Sequence, residues 1–229
     1  MRTIFQTFNE IFMANLVLGN KEIKNINNII FDLGGVIMNI SYQRAINALK
    51  EIGVLNFDKL YTQFGQTELF DNYDKGFISP SEFRNEIRKI SGTTFSDKAF
   101  NDAWNLMLVD IPKENIQLLK ILKKKFTVYL LSNTNEIHLE YLSVYMNRTF
   151  NVNNLDSLFH KAYYSCRIHM RKPDNEIYIH VLNDSKIKAA ETLFIDDFQP
   201  NVNAAIKSGI QGYFLQKEVT ITDLFKNFL

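Results

Sequence analysis

A short apolar run, Ile29-Ile-Phe31, ends on a single carboxylate, Asp32, and is followed by Leu33 and the glycine pair Gly34-Gly35. A run of this length fits a strand in the interior of a parallel sheet, where both faces are covered. The glycines let the chain bend sharply and bring main-chain N–H groups close to a ligand. Asp32 is thus delivered to a tight turn at a strand end, where a carboxylate serves as a nucleophile or a metal ligand. Many strands also close on Asp-x-Gly at a surface turn with no chemistry attached, so the weight of this reading rests on the rest of the chain.

From Phe126 onward, short apolar runs alternate with helical segments. Strands are expected at 126–131, 161–164, 192–195 and 212–215, and helices at 136–145, 175–182 and 202–208. Such alternation predicts βαβ units and a parallel sheet. Between Asp32 and this region the pattern is helical. Tyr42, Ala45, Ile46 and Leu49 recur at helical spacing, and Asp74-Lys75-Gly76 reads as a turn. Ser79-Pro-Ser-Glu82 carries an N-cap, a proline at the first helical position and a capping-box glutamate. Phe100, Trp104 and Met107 share one side of a helix expected over 97–108. Residues 41–108 read as all helical, and a further helix follows Pro112, with Ile116, Leu119 and Leu122 inward and Lys123-Lys-Lys125 at its solvated end. Helices inserted directly after the strand of Asp32 would lie over the carboxyl edge of the sheet, where ligands bind in open α/β folds. Residues 1–24 carry no identifiable chemistry. They read as an added amphipathic helix, with the apolar stretch 11–18 broken by Asn15, or as an upstream start with Met13 as initiator.

The chain of 229 residues suffices for one large domain or a domain with an insert, and its formal charge of +1 gives no reason to expect nucleic acid or an anionic membrane as partner. An anion site must therefore be local. One cysteine, Cys166, excludes an internal disulfide and a cysteine-based zinc site, and a reducing, cytoplasmic setting is expected. No stretch approaches the ~18–20 apolar residues of a membrane span.

Three later stretches bear on Asp32. In Val128-Tyr-Leu-Leu-Ser132-Asn133, a strand ends on a hydroxyl that, with the turn's N–H groups, suits an anion; the same residues also cap helices. In Met170-Arg-Lys172-Pro173, a lysine stands before a proline that is expected to open a helix, so its backbone is held extended and it can reach in to neutralise phosphate. In Thr192-Leu-Phe-Ile-Asp196-Asp197, a buried strand ends on two acids, followed by Asn201. Adjacent carboxylates repel unless a cation is near, and a hard divalent ion such as magnesium meets that need.

Asp, Ser, Lys and Asp-Asp at four element ends, in this order, resemble the four motifs of the haloacid dehalogenase superfamily, from about Asn28 to the C-terminus. Within it, Phe31-Asp-Leu-Gly34, Leu131-Ser-Asn-Thr-Asn135, Met170-Arg-Lys-Pro173 and Asp196-Asp197, with Gly76-Phe-Ile-Ser79, look like bacterial phosphatases of the α-D-glucose-1-phosphate phosphatase type. The resemblance implies a Rossmann-like, three-layer α/β core (1–40 and 109–229) with an inserted helical cap of the C1 type (41–108). It implies a magnesium-dependent phosphatase of a small phosphorylated metabolite, with Asp32 as nucleophile. Magnesium would be held by Asp32, the carbonyl of Gly34 and Asp197, with Asp196 beside them orienting Lys172 or a metal-bound water. Phosphate would be held by Ser132, Asn133, Lys172, Leu33 and Gly34. Two positions depart from the pattern. Gly34 stands where many of these phosphatases have a general-acid aspartate, which favours an acidic leaving group such as that of a sugar 1-phosphate. His169 stands where relatives have glycine, and histidine tolerates unusual backbone angles. Tyr42, Phe70 and Tyr73 are candidates for substrate contact or for helix packing. The competing functions are a 2-haloacid dehalogenase, which has no use for the Asp196-Asp197 pair, and a phosphate-binding regulator that has lost turnover.

Overall fold

A computed structural model describes residues 14–19, 21–55, 57 and 67–229. Strands β1 (Ala14–Leu18) and β2 (Lys21–Ile26) form an antiparallel hairpin. The expected N-terminal helix is thus replaced by strand over 14–18, and its first residues, with Met13, lie outside the described residues. The reason is alternation: Leu16 and Leu18 are buried in the core while Val17 between them faces solvent, a period of two rather than 3.6. Gln211 donates to the Lys24 carbonyl at 2.9 Å, which ties the hairpin to the amino end of the sheet, away from Asp32.

β3 (Asn28–Phe31) is the middle strand of a five-stranded parallel sheet. β6 (Thr127–Ser132) and β8 (Thr192–Asp196) flank it, and β7 (Lys161–Tyr164) and β9 (Gln211–Phe214) are the edges. The register aligns Phe31 with Leu130 on one side and Ile195 on the other, so three adjacent strands end together. Two clusters of buried residues cover the two faces, and the hairpin's Leu16 and Leu18 belong to the first. Ile29, Phe31, Val128, Leu130, Leu193 and Ile195 point to one, and Ile30, Tyr129, Leu131 and Phe194 to the other. This is a three-layer Rossmann-like arrangement with buried strands at its centre.

The chain leaves the sheet through β4 (Asn39–Ile40) into helices α1 (Tyr42–Glu51), α2 (Glu68–Asp74), α3 (Pro80–Ser91) and α4 (Asp97–Asn105). It returns through β5 (Leu108–Asp110), which pairs antiparallel with β4. The helical expectation to Leu108 therefore overruns. A three-residue strand is too short to print a pattern, and only its pairing makes it one. The capping box forms as expected: Glu82 N–H donates to Ser79 Oγ at 3.2 Å and Ser79 N–H to Glu82 Oε2 at 2.7 Å. These helices share their own buried cluster, with Phe57, Phe70, Phe83, Phe100 and Trp104 packed ring on ring. Helices α5 (Lys113–Leu122), α6 (Glu136–Phe150), α7 (Ser165–Ile168), α8 (Asn175–Ser185), α9 (Gln199–Lys207) and α10 (Ile221–Leu224) follow in the alternating part. Pro173 does not open α8, which begins two residues later; Lys172 and Pro173 lie in the turn before it, joined by a cis bond.

Candidate active site

Parallel strands put all their carboxyl ends on one edge, and that edge collects the residues singled out above. Asp32 follows β3 directly, its N–H donating to the Ile195 carbonyl at 2.9 Å. Ser132 is the last residue of β6 and Asp196 the last of β8. Lys172 enters from the turn before α8, and its ammonium donates to Asp32 Oδ1 and Asp196 Oδ2, each at 2.6 Å. The Lys172 residue is only 1% exposed. Burial alone would lower its pKa, but Asp196 and Asp32 outweigh that and raise it, so it stays charged. The Asn133 side chain holds the lysine main chain from both sides, accepting from Lys172 N at 2.9 Å and donating to its carbonyl at 2.8 Å.

The two acids at the end of β8 have different surroundings. Asp196 is fully buried and saturated: Oδ1 accepts from Phe198 N at 2.8 Å, and Asn201 Nδ2 reaches both oxygens, at 3.2 and 3.0 Å. Asp197 is half-buried and abuts Gly35 so closely that a Cβ on that glycine would lie 2.0 Å from Asp197 Oδ2. Gly35 also has φ +74, so it answers two needs at once. Gly34 has no positive φ, and a side chain there would meet Ile40 at 3.3 Å.

One oxygen from each of Asp32, Asp196 and Asp197 falls within 4.8 Å of the others. Burial pushes the Asp32 carboxyl up to about 7; Lys172 opposes this, and Asp196 and Asp197 add to it. Burial, then Asp196, pushes Asp197 up to about 6. Three clustered carboxylates against one ammonium leave an excess of negative charge, and an oxygen-only donor set suits a hard divalent cation. Because Asp196 is occupied by Lys172, Phe198 and Asn201, Asp32 and Asp197 are the side chains fitted to bind it.

These groups floor a cavity of about 370 Å³ that Leu33, Gly34, Ser132 and Asn133 also line. Tyr42, Asp74, Met107 and His138 line it as well. Phe70 and Tyr73 do not line it; they pack on Phe83 at 5.2 and 4.0 Å between ring centroids. His169 does not line it either. It takes φ +57 at the end of α7, its Nδ1 lies 2.8 Å from the Lys75 carbonyl, and its ring stacks on Phe77. His169 thus makes a contact to the segment that carries the inserted helices. Beside it, Arg171 donates to Asp71 Oδ1 at 2.9 Å, and Lys75 bridges Asp71 and Asp174. Neither His138 nor Asp74 was expected at the site; Asp74 was read only as the start of a turn and is the last residue of α2. Both sit in ordinary helical context, and only their shared cavity sets them apart.

The family profile described as haloacid dehalogenase-like hydrolase matches residues 26–209. The chain is 28% identical over 190 residues to a D-ribitol-5-phosphate phosphatase of Bacteroides thetaiotaomicron, covering 82% of this chain and 91% of that one. A HAD family enzyme of the same organism, solved in complex with magnesium and inorganic phosphate, superposes with a TM-score of 0.79 at 39% identity, covering 87% and 99%. A predicted HAD-like family hydrolase of Porphyromonas gingivalis superposes with a TM-score of 0.81 at 32% identity, covering 88% and 97%.

Proposed function

This chain belongs to the haloacid dehalogenase-like hydrolases, and on that premise we propose that it is a magnesium-dependent phosphatase of a small hydroxylated phosphate monoester, acting through an aspartyl-phosphate on Asp32. The observation that carries the reading is the pairing of Asp32 with a buried lysine at 2.6 Å in a cluster of carboxylates that calls for a divalent cation. The ribitol phosphate substrate named for one relative supports a sugar or sugar-alcohol phosphate as the class.

In this mechanism Lys172 engages Asp32 Oδ1, which leaves Oδ2 to attack phosphorus as the bond to the leaving oxygen breaks; its electron pair stays on the alkoxide, which takes a proton from water to leave as the alcohol. Lys172 and Ser132 hold phosphoryl oxygens. Asn133 fixes the Lys172 main chain through its side chain and offers its own N–H to the anion together with those of Leu33 and Gly34. Asp32, Asp197 and the Gly34 carbonyl would hold the cation, while Asp196 keeps Lys172 in place. Bound there, magnesium supplies the positive charge that lets two anions approach. Water then attacks the phosphorus of the aspartyl-phosphate, releasing inorganic phosphate and freeing Asp32. We take residues 41–108 as a cap that closes over the floor, and 1–40 with 109–229 as the core. The sole cysteine, Cys166, is free and buried, which suits the cytoplasm. Among the described residues no helix is long and apolar enough to cross a membrane.

Phosphate release from sugar phosphates, sugar-alcohol phosphates, nucleotides and an aryl phosphate, with and without magnesium, tests this. Wild type should need magnesium, and Asp32→Asn, folded by circular dichroism, should lose at least about a thousandfold in kcat. Turnover that survives the substitution, or that ignores magnesium, overturns the proposal.

A further inference from the structure

Residues 169–174 carry Lys172 into the site and belong to neither helix nor strand, since α7 ends at Ile168 and α8 begins at Asn175. Such a stretch takes its position from its contacts rather than from a ladder of main-chain hydrogen bonds. On the sheet side, the Asn133 side chain clasps the Lys172 N–H and carbonyl at 2.9 and 2.8 Å. On the other side the stretch is tied to residues 71–77, the end of α2 and the turn that follows it. His169 Nδ1 donates to the Lys75 carbonyl at 2.8 Å, and its ring stacks on Phe77 at 5.6 Å and 10°. Arg171 Nη1 donates to Asp71 Oδ1 at 2.9 Å. Lys75 Nζ lies 2.9 Å from Asp71 Oδ2 and 3.4 Å from Asp174 Oδ2. Beside these contacts main chain meets main chain: a Cβ on Gly76, at φ +69, would lie 1.9 Å from the Cys166 carbonyl oxygen.

We infer that this seam positions Lys172 for phosphate, with Gly76 and His169 as its main positioning residues. The inference rests on the phosphatase reading, which makes Lys172 a phosphate-binding group, and deepens it. Adjacent residues of the stretch have partners on opposite sides: Arg171 meets Asp71 of the inserted helices, and Lys172 meets Asp32 and Asp196 of the floor. A shift of the seam therefore moves the stem of the lysine. The ammonium has little room to compensate, because the residue is 1% exposed and bridges two carboxylates at 2.6 Å each. A displacement of about 1 Å in a held group can cost on the order of a hundredfold in rate. Solvent screens the ion pairs at Asp71, whose side chain is 34% exposed, so the close approach at Gly76 and the contacts of His169 carry the positioning. Gly76 and His169 lie outside the lining of the cavity, and their effect on a bound phosphate passes through the Lys172 stretch.

The test alters the seam and reads Lys172. Gly76→Ala forces the two main chains apart, and His169→Gly removes the ring contacts while keeping a residue suited to φ +57. Gly92→Ala, at φ +65 with nothing within 4 Å of the new atom, is the control for backbone strain. Each variant is checked by thermal melting. Amide hydrogen exchange at Lys172, whose N–H is given to Asn133, should quicken about tenfold in Gly76→Ala and less in His169→Gly, with β3 and β8 unchanged. The dissociation constant of inorganic phosphate for the magnesium-loaded protein, read by calorimetry, should rise roughly tenfold in Gly76→Ala. Gly92→Ala should leave both at the wild-type values. A seam that only stabilises the helices would lower the melting temperature and leave Lys172 exchange and phosphate affinity unchanged, and that result overturns the inference. Should Gly76→Ala not fold, unchanged exchange at Lys172 in His169→Gly overturns it alone. Absence of magnesium-dependent release by wild type condemns the phosphatase reading, whereas exchange at Lys172 needs no turnover and judges the seam by itself.

Discussion

On the sheet side of the cavity, Lys172 pairs with both Asp32 and Asp196, and an Asp197 oxygen lies within 4.8 Å of theirs. On the helical side, Phe57, Phe70, Phe83, Phe100 and Trp104 pack ring against ring. The sheet side is specified by electrostatics: moving any member strands a buried charge. The helical side is specified by volume and dispersion, which many side chains could satisfy. The floor therefore belongs to the chemistry, and the wall is free to encode the substrate.

Truncation at the centre of the helical cluster should separate stability from chemistry most strongly. Trp104→Ala should cost about 3–5 kcal/mol in urea unfolding followed by circular dichroism, since Trp104 touches Phe57, Phe100 and His138 through ring contacts. A loss below about 1 kcal/mol would mean that the helices do not depend on this cluster. The matching strike on the floor is Gly35→Ala. Its Cβ would lie 2.0 Å from Asp197 Oδ2 at φ +74, so the carboxylate must move, and magnesium-dependent turnover should fall on the order of a hundredfold. Gly92→Ala is the control, with φ +65 but nothing within 4 Å of the new atom. It should show the backbone strain without the loss of turnover.

A smaller effect is read from acid unfolding. His138 has a folded pKa pushed down to about 3 by burial, against ~6.5 in the unfolded chain. Below the unfolded value the unfolded state binds the proton first. His138 therefore costs nothing above pH ~6.5 and removes stability at about 1.4 kcal/mol per pH unit as pH falls from there toward the folded value. His138→Phe should flatten the acid limb by that slope, and parallel limbs would show that the histidine titrates normally. Smallest is the contact between the two parts. Asp71 is 34% exposed by side chain, with Lys75 and Arg171 each at 2.9 Å. Solvent screens this network, so Asp71→Asn should change stability by less than about 1 kcal/mol in thermal melts. A larger loss would make the strut, rather than the aromatic cluster, what joins the helices to the sheet.

The floor was legible in the sequence because each element end announces itself locally. Ile29-Ile-Phe31 and Thr192-Leu-Phe-Ile195 are apolar runs that stop on acids, and a run that must be buried on both faces leaves its terminal polar residue at the edge. The capping box at Ser79 and the strand at Lys161–Tyr164 were read for the same local reason. The N-terminal hairpin was misread, because a short apolar stretch does not reveal its period until Leu16 and Leu18 find the core. The β5 strand was missed because Leu108–Asp110 becomes a strand only by pairing with Asn39–Ile40. His138 was passed over because Asn105 and Trp104, the groups that give it a fixed tautomer and a fixed plane, come from another helix.

Composition, periodicity and strand-end chemistry determined that this chain folds as an α/β sheet and that Asp32, Ser132, Lys172 and Asp196-Asp197 stand at element ends, since these depend on a few neighbouring residues. The tertiary structure alone decided that Lys172 pairs with Asp32 as well as Asp196, that Asn133 clasps the Lys172 main chain, and that a buried histidine lines the same cavity as the carboxylates. Those choices turn on contacts such as that between Asp32 and Lys172, 140 residues apart in the chain. Strand order and parallel register bring such groups together, and no local pattern of residues encodes the meeting.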